Sequence, residues 1–351
     1  MLNPEIRPTV MALCFGLFGA LVANFIGLPA PFLTGPALAV SLACVFGFDL
    51  RISVWLRDMC FILIGVGMGS GVTPQVVEAA AKWPMAIFTL LVSLVLILQI
   101  SSLLLRGLFG FDRISAILAS SPGHLSYILG LSADTGADIQ KISIVQSLRV
   151  LVLTILVPLI FVFMGEERVD AEDANRLVIP WIHIIGIVLV SGLAGWILKR
   201  LRIPAAYLLG GMLVSSLAQI GSLTTGNLPE WLSLSAFLVM GTLIGSRFSG
   251  ITPRTLGNSL AAGMLTTTVA ALVSVSASFV AAKMLDLPIN HVLIAFAPGG
   301  VETMAAMAVL LEVDPSFVAV HHVARLLFLT MLVPILMGLN KKVKKMNSGE
   351  R

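Results

Sequence analysis

The feature that leaves this chain the fewest possible folds is a succession of twelve apolar stretches, separated by short polar ones. They run at 8–28, 29–48, 54–71, 84–108, 112–132 and 139–164, then at 180–198, 203–222, 231–249, 256–285, 289–311 and 315–338. Most are long enough, at about 18 residues or more, for a helix to cross a bilayer. Barrel strands would instead alternate inward and outward side chains, and these runs are continuous. Only 11% of the residues are charged, against 58% hydrophobic. A soluble domain carries roughly 25% charged residues, so an ordinary water-exposed surface cannot be built from this chain. The expected fold is all-α, a polytopic helical membrane protein. Its first helix, in "MLNPEIRPTVMALCFGLFGALVANFIGL", lacks a small-residue cleavage site and is expected to remain uncleaved.

The twelve stretches fall into two sets of six, because the chain is written twice. An offset of 176 aligns Trp55 with Trp231, Gly65 with Gly241, Gly69-Ser70 with Gly245-Ser246, and Pro122-Gly123 with Pro298-Gly299. The same offset aligns Asp138 with Asp314, Arg149 with Arg325, Thr154 with Thr330, and Val157-Pro158 with Val333-Pro334. At an offset of 175, "LPAPFLTGPAL" (Leu28–Leu38) matches "IPAAYLLGGML" (Ile203–Leu213). Internal repetition of this kind decides architecture. The expected organisation is a membrane repeat at 1–165, an acidic linker at 166–178, a second repeat at 179–340 and a basic tail at 341–351.

Loop charge tests how the repeats are threaded, because Lys and Arg favour the cytoplasmic side. "KRLR" (Lys199–Arg202) is basic, while its counterpart "NFIGLP" is uncharged. "DLRISVWLR" (Asp49–Arg57) is basic, and its counterpart "TTGNLPE" is not. Arg247 and Arg254 oppose the neutral balance of Glu78 and Lys82, and Arg106 and Arg113 oppose Lys283 and Asp286. The bias inverts between the halves, so each half should cross an odd number of times. The expectation is two inverted-topology repeats of about five transmembrane helices plus one re-entrant or broken helix each. Both termini would then be cytoplasmic and the acidic linker extracytoplasmic. The Pro-Gly segments "SSPGHLSYILGL" and "FAPGGVETMAAM" are the first choice for the broken pieces, and the Pro-rich second stretch of each half is the alternative. Irregular backbone at membrane depth survives only where protein or a wet cavity covers it.

Inverted repeats with interrupted helices are a design of secondary transporters, with the solute bound near the midplane. Ionisable residues inside apolar stretches cost about 2.5–3.5 kcal/mol each on insertion scales, so those present need a reason. Arg149 and Arg325 could clamp a carboxylate from two sides. Ser121, Gly123, Gly299, Gly300 and Thr303 at the breaks complete the candidate substrate site, and Ser120 and Ser126 lie beside them. Glu302, His124 and His322 are the candidates for coupling to H+ or Na+. Asp314-Pro315 reads as a helix N-cap with Pro in the first turn. The Gly-rich runs "GVGMGSG" and "GTLIGS" (Gly241–Ser246) read as close helix contacts. The sequence contains no cofactor fingerprint, metal-ligand spacing or nucleophile motif, so neither an enzyme nor a cofactor is expected. Cys14, Cys44 and Cys60 lie in apolar stretches and form no disulfide framework. The basic charge, including Lys341–Lys345, marks topology and gives no reason to expect nucleic acid. The expected partners are a small-molecule solute, the bilayer and a coupling H+ or Na+, with a homo-oligomer left open.

The duplicated halves, the "PAxxLxG" element at Pro29–Gly35 and Pro204–Gly210, and the "PGH" and "PGG" breaks resemble the bacterial membrane AbrB family. That family also carries an ammonia monooxygenase label, and it is unrelated to the small DNA-binding regulator of the same name. The resemblance implies a polytopic protein of the bacterial inner membrane, either a transporter or a regulator of gene expression. It brings no catalytic residues. Oxygenase chemistry would need converging His and carboxylate ligands, and the five histidines are mostly scattered. The function expected is therefore secondary-active transport of a small solute, an organic anion in the first instance. A membrane-embedded regulator without transport is the alternative.

Overall fold

A computed structural model describes residues 6–70, 83–123, 125–164 and 177–338, the side chains of Ser126 and Asn258 excepted. Glu78, Lys82, His124, the acidic segment 166–176 and the basic tail lie outside the described residues. The described residues form fourteen helices. In the first half these are α1 (Arg7–Phe25), α2 (Pro31–Val45), α3 (Val54–Ser70), α4 (Trp83–Phe109), α5 (Arg113–Ser120), α6 (Leu125–Thr135) and α7 (Ile139–Phe163). The second half has α8 (Trp181–Arg200), α9 (Ala206–Ile220), α10 (Glu230–Ser246), α11 (Pro253–Leu285), α12 (Ile289–Phe296), α13 (Val301–Leu310) and α14 (Pro315–Met337).

Six helices are long and apolar enough to cross a membrane: α1, α4, α7, α8, α11 and α14. Their outward faces are greasy, with Leu17, Phe18 and Leu21 of α1 and Ile182, Ile185 and Leu189 of α8 all exposed. Water would not tolerate such a surface, and hydrocarbon would. The chain is a polytopic helical membrane protein. The second and third helices of each half have 15 and 17 residues, so they span about 22 and 26 Å. Length alone therefore gives three spans per half, where five were expected.

The short helices pack where glycine removes side-chain bulk. A Cβ on Gly19 of α1 would strike the Gly35 carbonyl of α2, and one on Gly35 would strike the Gly19 carbonyl. Between α8 and α9 the same role falls to Gly195, against Tyr207, and to Gly210, against Gly195. The "PAxxLxG" element is thus a helix start followed by a contact glycine. In both copies the Ala before the helix, Ala30 and Ala205, sits in the left-handed region, with φ 52° and 53°. The third helices cross between halves: Gly65 of α3 abuts the Leu208 carbonyl of α9, and Gly241 of α10 abuts the Leu33 carbonyl of α2. Both Gly-rich runs therefore serve helix approach.

The prolines separate into two kinds. Pro36, Pro158 and Pro334 lie inside continuous helices. Pro122 and Pro298 lie in true interruptions: α5 stops at Ser120 and α6 starts at Leu125, while α12 stops at Phe296 and α13 starts at Val301. Each flanking piece has 8 to 11 residues, or about 12–17 Å, too short to cross alone. The Pro-rich second stretch, the alternative candidate, is intact from Pro31 to Val45.

Candidate functional site

A broken helix exposes carbonyls that have lost their helical donors, and in a buried place each needs a partner. At the first break the partners come from α7. Arg149 donates from Nη2 to the Ser121 carbonyl at 2.9 Å and to Gln146 Oε1 at 2.8 Å. Gln146 in turn donates from Nε2 to the carbonyls of Leu118 and Ser121 at 2.8 and 3.0 Å. At the second break they come from α14. Arg325 donates from Nη1 to the Ala297 carbonyl at 2.7 Å and from Nη2 to the Gly299 carbonyl at 2.6 Å. Ser121 and Ala297 are equivalent positions in the two halves, as are Arg149 and Arg325.

The two breaks approach one another. A Cβ on Gly123, whose φ is +88°, would lie 3.6 Å from both Nε and Nη2 of Arg325. The first break thus rests on the arginine of the second. Arg149 and Arg325 are 1% and 0% exposed, and Arg325 feels the charge of Arg149. Among the described residues no Asp or Glu comes within 4.0 Å of either guanidinium. The Nε atoms of both make no hydrogen bond, and neither do the buried hydroxyls of Ser120, Ser121 and Thr303. Buried polar atoms without partners are uncommon, and a cluster of them at one place calls for an explanation.

Glu302 is half-buried in the first turn of α13, and its Oε2 would stand 3.7 Å from a Cβ on Gly300. Its charge is felt by Arg325 and also by Arg247. Sequence reasoning used Arg247 only as a loop marker, yet it is half-buried at the C-terminus of α10. His322 is fully buried one turn before Arg325, beside the Ile294 carbonyl but without a hydrogen bond of acceptable geometry. It occupies the position that Gln146 holds in the first half. His321 is tied down separately: its Nδ1 lies 2.7 Å from the Phe317 carbonyl and its ring packs tilted, 4.0 Å from the Phe317 ring. Asp314 caps α14, accepting from the N–H groups of Ser316 and Phe317 at 2.9 and 3.2 Å. Asp138 caps α7 through the Lys141 N–H at 3.1 Å. Of the candidate site residues, Arg149, Arg325, Ser121, Gly123, Gly299, Gly300, Thr303, Glu302 and His322 thus gather at the two breaks. Gln146 was missed, and its identity to no residue in the second half hid it. No three His, Cys, Asp or Glu side chains among the described residues are placed to hold a metal.

Fold and site together define a class: a multi-pass helical membrane protein with two interrupted helices locked by buried arginines. The chain belongs to the AbrB family, described as "Transition state regulatory protein AbrB", whose model matches residues 32–340. It is 26% identical over 313 residues to an Escherichia coli (strain K12) protein named "Putative regulator AbrB", covering 88% of this chain and 89% of that one. It is 24% identical over 295 residues to "Uncharacterized protein YhjN" of Bacillus subtilis (strain 168), covering 78% and 75% of the two chains. No solved structure matches.

Proposed function

We propose that this protein is a secondary-active transporter of a small organic anion in the bacterial inner membrane, coupled to H+ or Na+ by alternating access. The carrying observation is the pair of buried guanidiniums at the breaks, with no carboxylate among the described residues within ion-pair distance. Taking an ion out of water costs several kcal/mol even after relaxation. Carbonyl dipoles at Ser121, Ala297 and Gly299 offset part of that cost, and a transient anion between the breaks would offset more. Gly123 and Gly300 keep that space free of side chains. The Nε donors and the hydroxyls of Ser121 and Thr303 are the groups left over to hold the solute.

Two inverted modules supply the frame for alternation. Support comes from the helix bounds: α3, α5, α7 and their partners α10, α12, α14 each begin 176 residues apart. Cys60 Sγ lies 3.2 Å from the carbonyl of Ala236, its own counterpart at that offset, as expected near a twofold axis relating the halves. Coupling falls to Glu302 and His322, which share the local field with Arg325 and have no counterparts of the same type in the first half. His124, the third candidate, lies outside the described residues.

The name carried by the Escherichia coli relative favours a second reading, a regulator that works by sensing or binding rather than by flux. Uptake of labelled monocarboxylates and dicarboxylates into proteoliposomes, with and without a pH or Na+ gradient, separates the two. Gradient-dependent accumulation of an anion is expected. Absence of flux across the panel, with a cytoplasmic protein copurifying, would establish the regulator instead.

A further inference from the structure

A groove opens between α7, α11 and α12 against the second break. Its walls include Leu153, Val157 and Ile160 of α7 and Ala271 and Ser274 of α11, and its floor is Ala297-Pro298. The space left for the centre of a water-sized sphere is about 30 Å3, room for a short chain, and part of it opens to the surface of the protein. Nearly all of the lining is carbon. Ser274, 3% exposed as a residue, contributes a hydroxyl that makes no hydrogen bond.

At the first break the equivalent positions are packed together, and the reason is legible in the repeat. The offset of 176 carries Leu153 and Val157 onto Leu329 and Val333, Leu293 onto Ile117, and Ala271 and Ser274 onto Val95 and Leu98. Leu98, Ile117, Leu329 and Val333 are buried together in one packed cluster. A hydroxymethyl group at Ser274 stands where the other half has an isobutyl group, and a methyl at Ala271 where it has an isopropyl. Interiors are close-packed, so a gap kept at one site and filled at its twin is a difference with a use.

We propose that the groove takes the aliphatic chain of a small monocarboxylate whose anionic end is held between Arg149 and Arg325. The position of the groove supports this, because the carbonyl of its floor residue Ala297 is the one that Arg325 grips at 2.7 Å. A sugar or a dicarboxylate would bury polar groups against carbon without partners. A hydrocarbon chain loses nothing there, and each methylene taken from water strengthens binding roughly fourfold. The proposal rests on the anion-transport reading and adds the substrate class to it.

The test is binding of labelled acetate and hexanoate to the full-length protein in nanodiscs, with empty nanodiscs subtracted. The native protein should bind hexanoate at least about tenfold more tightly than acetate, the effect of two enclosed methylenes. The double variant Ala271→Val/Ser274→Leu copies the chain's own packed counterpart. It should keep acetate binding and lose the advantage of hexanoate; if it does not fold, Ser274→Val alone should remove most of that advantage. Equal affinities in the native protein would overturn the proposal while leaving the anion site standing. A hexanoate preference that survives the filled groove would also overturn it. Failure of the native protein to bind either acid would remove the anion site itself, and the groove's role with it.

Discussion

At the scale of single residues, Arg149 and Arg325 hydrogen-bond to carbonyls freed by the breaks, with their Nε donors left over. Backbone carbonyls leave no mark in a sequence, so this use was not legible. Arg325 bridges Ala297 and Gly299 with two nitrogens, a fork that an ammonium on a flexible stem cannot reproduce. Arg325→Lys should therefore lower flux at least tenfold with expression unchanged, since a charge-assisted hydrogen bond is worth about 1.5–3 kcal/mol. Near-native uptake by that variant in proteoliposomes would show that charge alone suffices. Gly123→Ala combines a φ of +88° with a methyl group beside Arg325. A loss of about 1–2 kcal/mol in stability is expected, read as a lowered midpoint of thermal unfolding in detergent.

At the scale of helices, the positions of the breaks were legible and their anatomy was not. Pro-Gly inside an apolar stretch marks a stop, because proline removes a donor and clashes with the preceding turn. Pro36, Pro158 and Pro334 carry the same local signal and stay inside helices, so tertiary context decides which prolines interrupt. The "PAxxLxG" element was recognisable as a motif, yet only packing gives Gly35 and Gly210 their roles. Gly35→Leu should prevent α1 and α2 from closing, because the added Cβ alone meets the Gly19 backbone. The readout is loss of the monodisperse peak in size-exclusion chromatography, and a normal peak would refute the close contact.

The caps also belong to this scale. Burial works against ionisation of Asp112, but the Ser115 hydroxyl and the N–H groups of Ser115 and Ile114 outweigh it and hold the carboxyl below its usual range. Asp138 is likewise lowered, against its burial, by the backbone and side chain of Lys141. A carboxylate depressed in the folded state stabilises the fold above its unfolded pKa, and that contribution is lost as pH falls through the folded value. Both caps should thus act fully at pH 7 and fade below about pH 4. Asp112→Ala should cost about 1 kcal/mol at pH 7, with the difference from native shrinking in denaturation series run toward pH 3.

At the scale of the whole molecule, the membrane class was written in the apolar stretches, and the offset of 176 recurs in where α3, α5 and α7 begin relative to α10, α12 and α14. The count of spans was less legible, because α2, α3, α9 and α10 are apolar enough but only 15 to 17 residues long. A hydropathy pattern does not reveal how a short helix is tilted or covered. The claim on which transport depends is that the two modules enter the membrane with opposite polarity, bringing their breaks together from opposite sides. Gly107, in the last turn of α4, and Lys283, in the last turn of α11, are equivalent exposed positions. A Cβ at Gly107 meets nothing within 4 Å, so a cysteine fits there without strain. The most direct test is labelling of Gly107→Cys and Lys283→Cys, each in a Cys14→Ala background, with a membrane-impermeant maleimide on intact spheroplasts and on inverted vesicles. Opposed modules require position 283 to react in spheroplasts and position 107 only in inverted vesicles. Reaction of both from the same side would mean parallel modules and would contradict the transporter built on them.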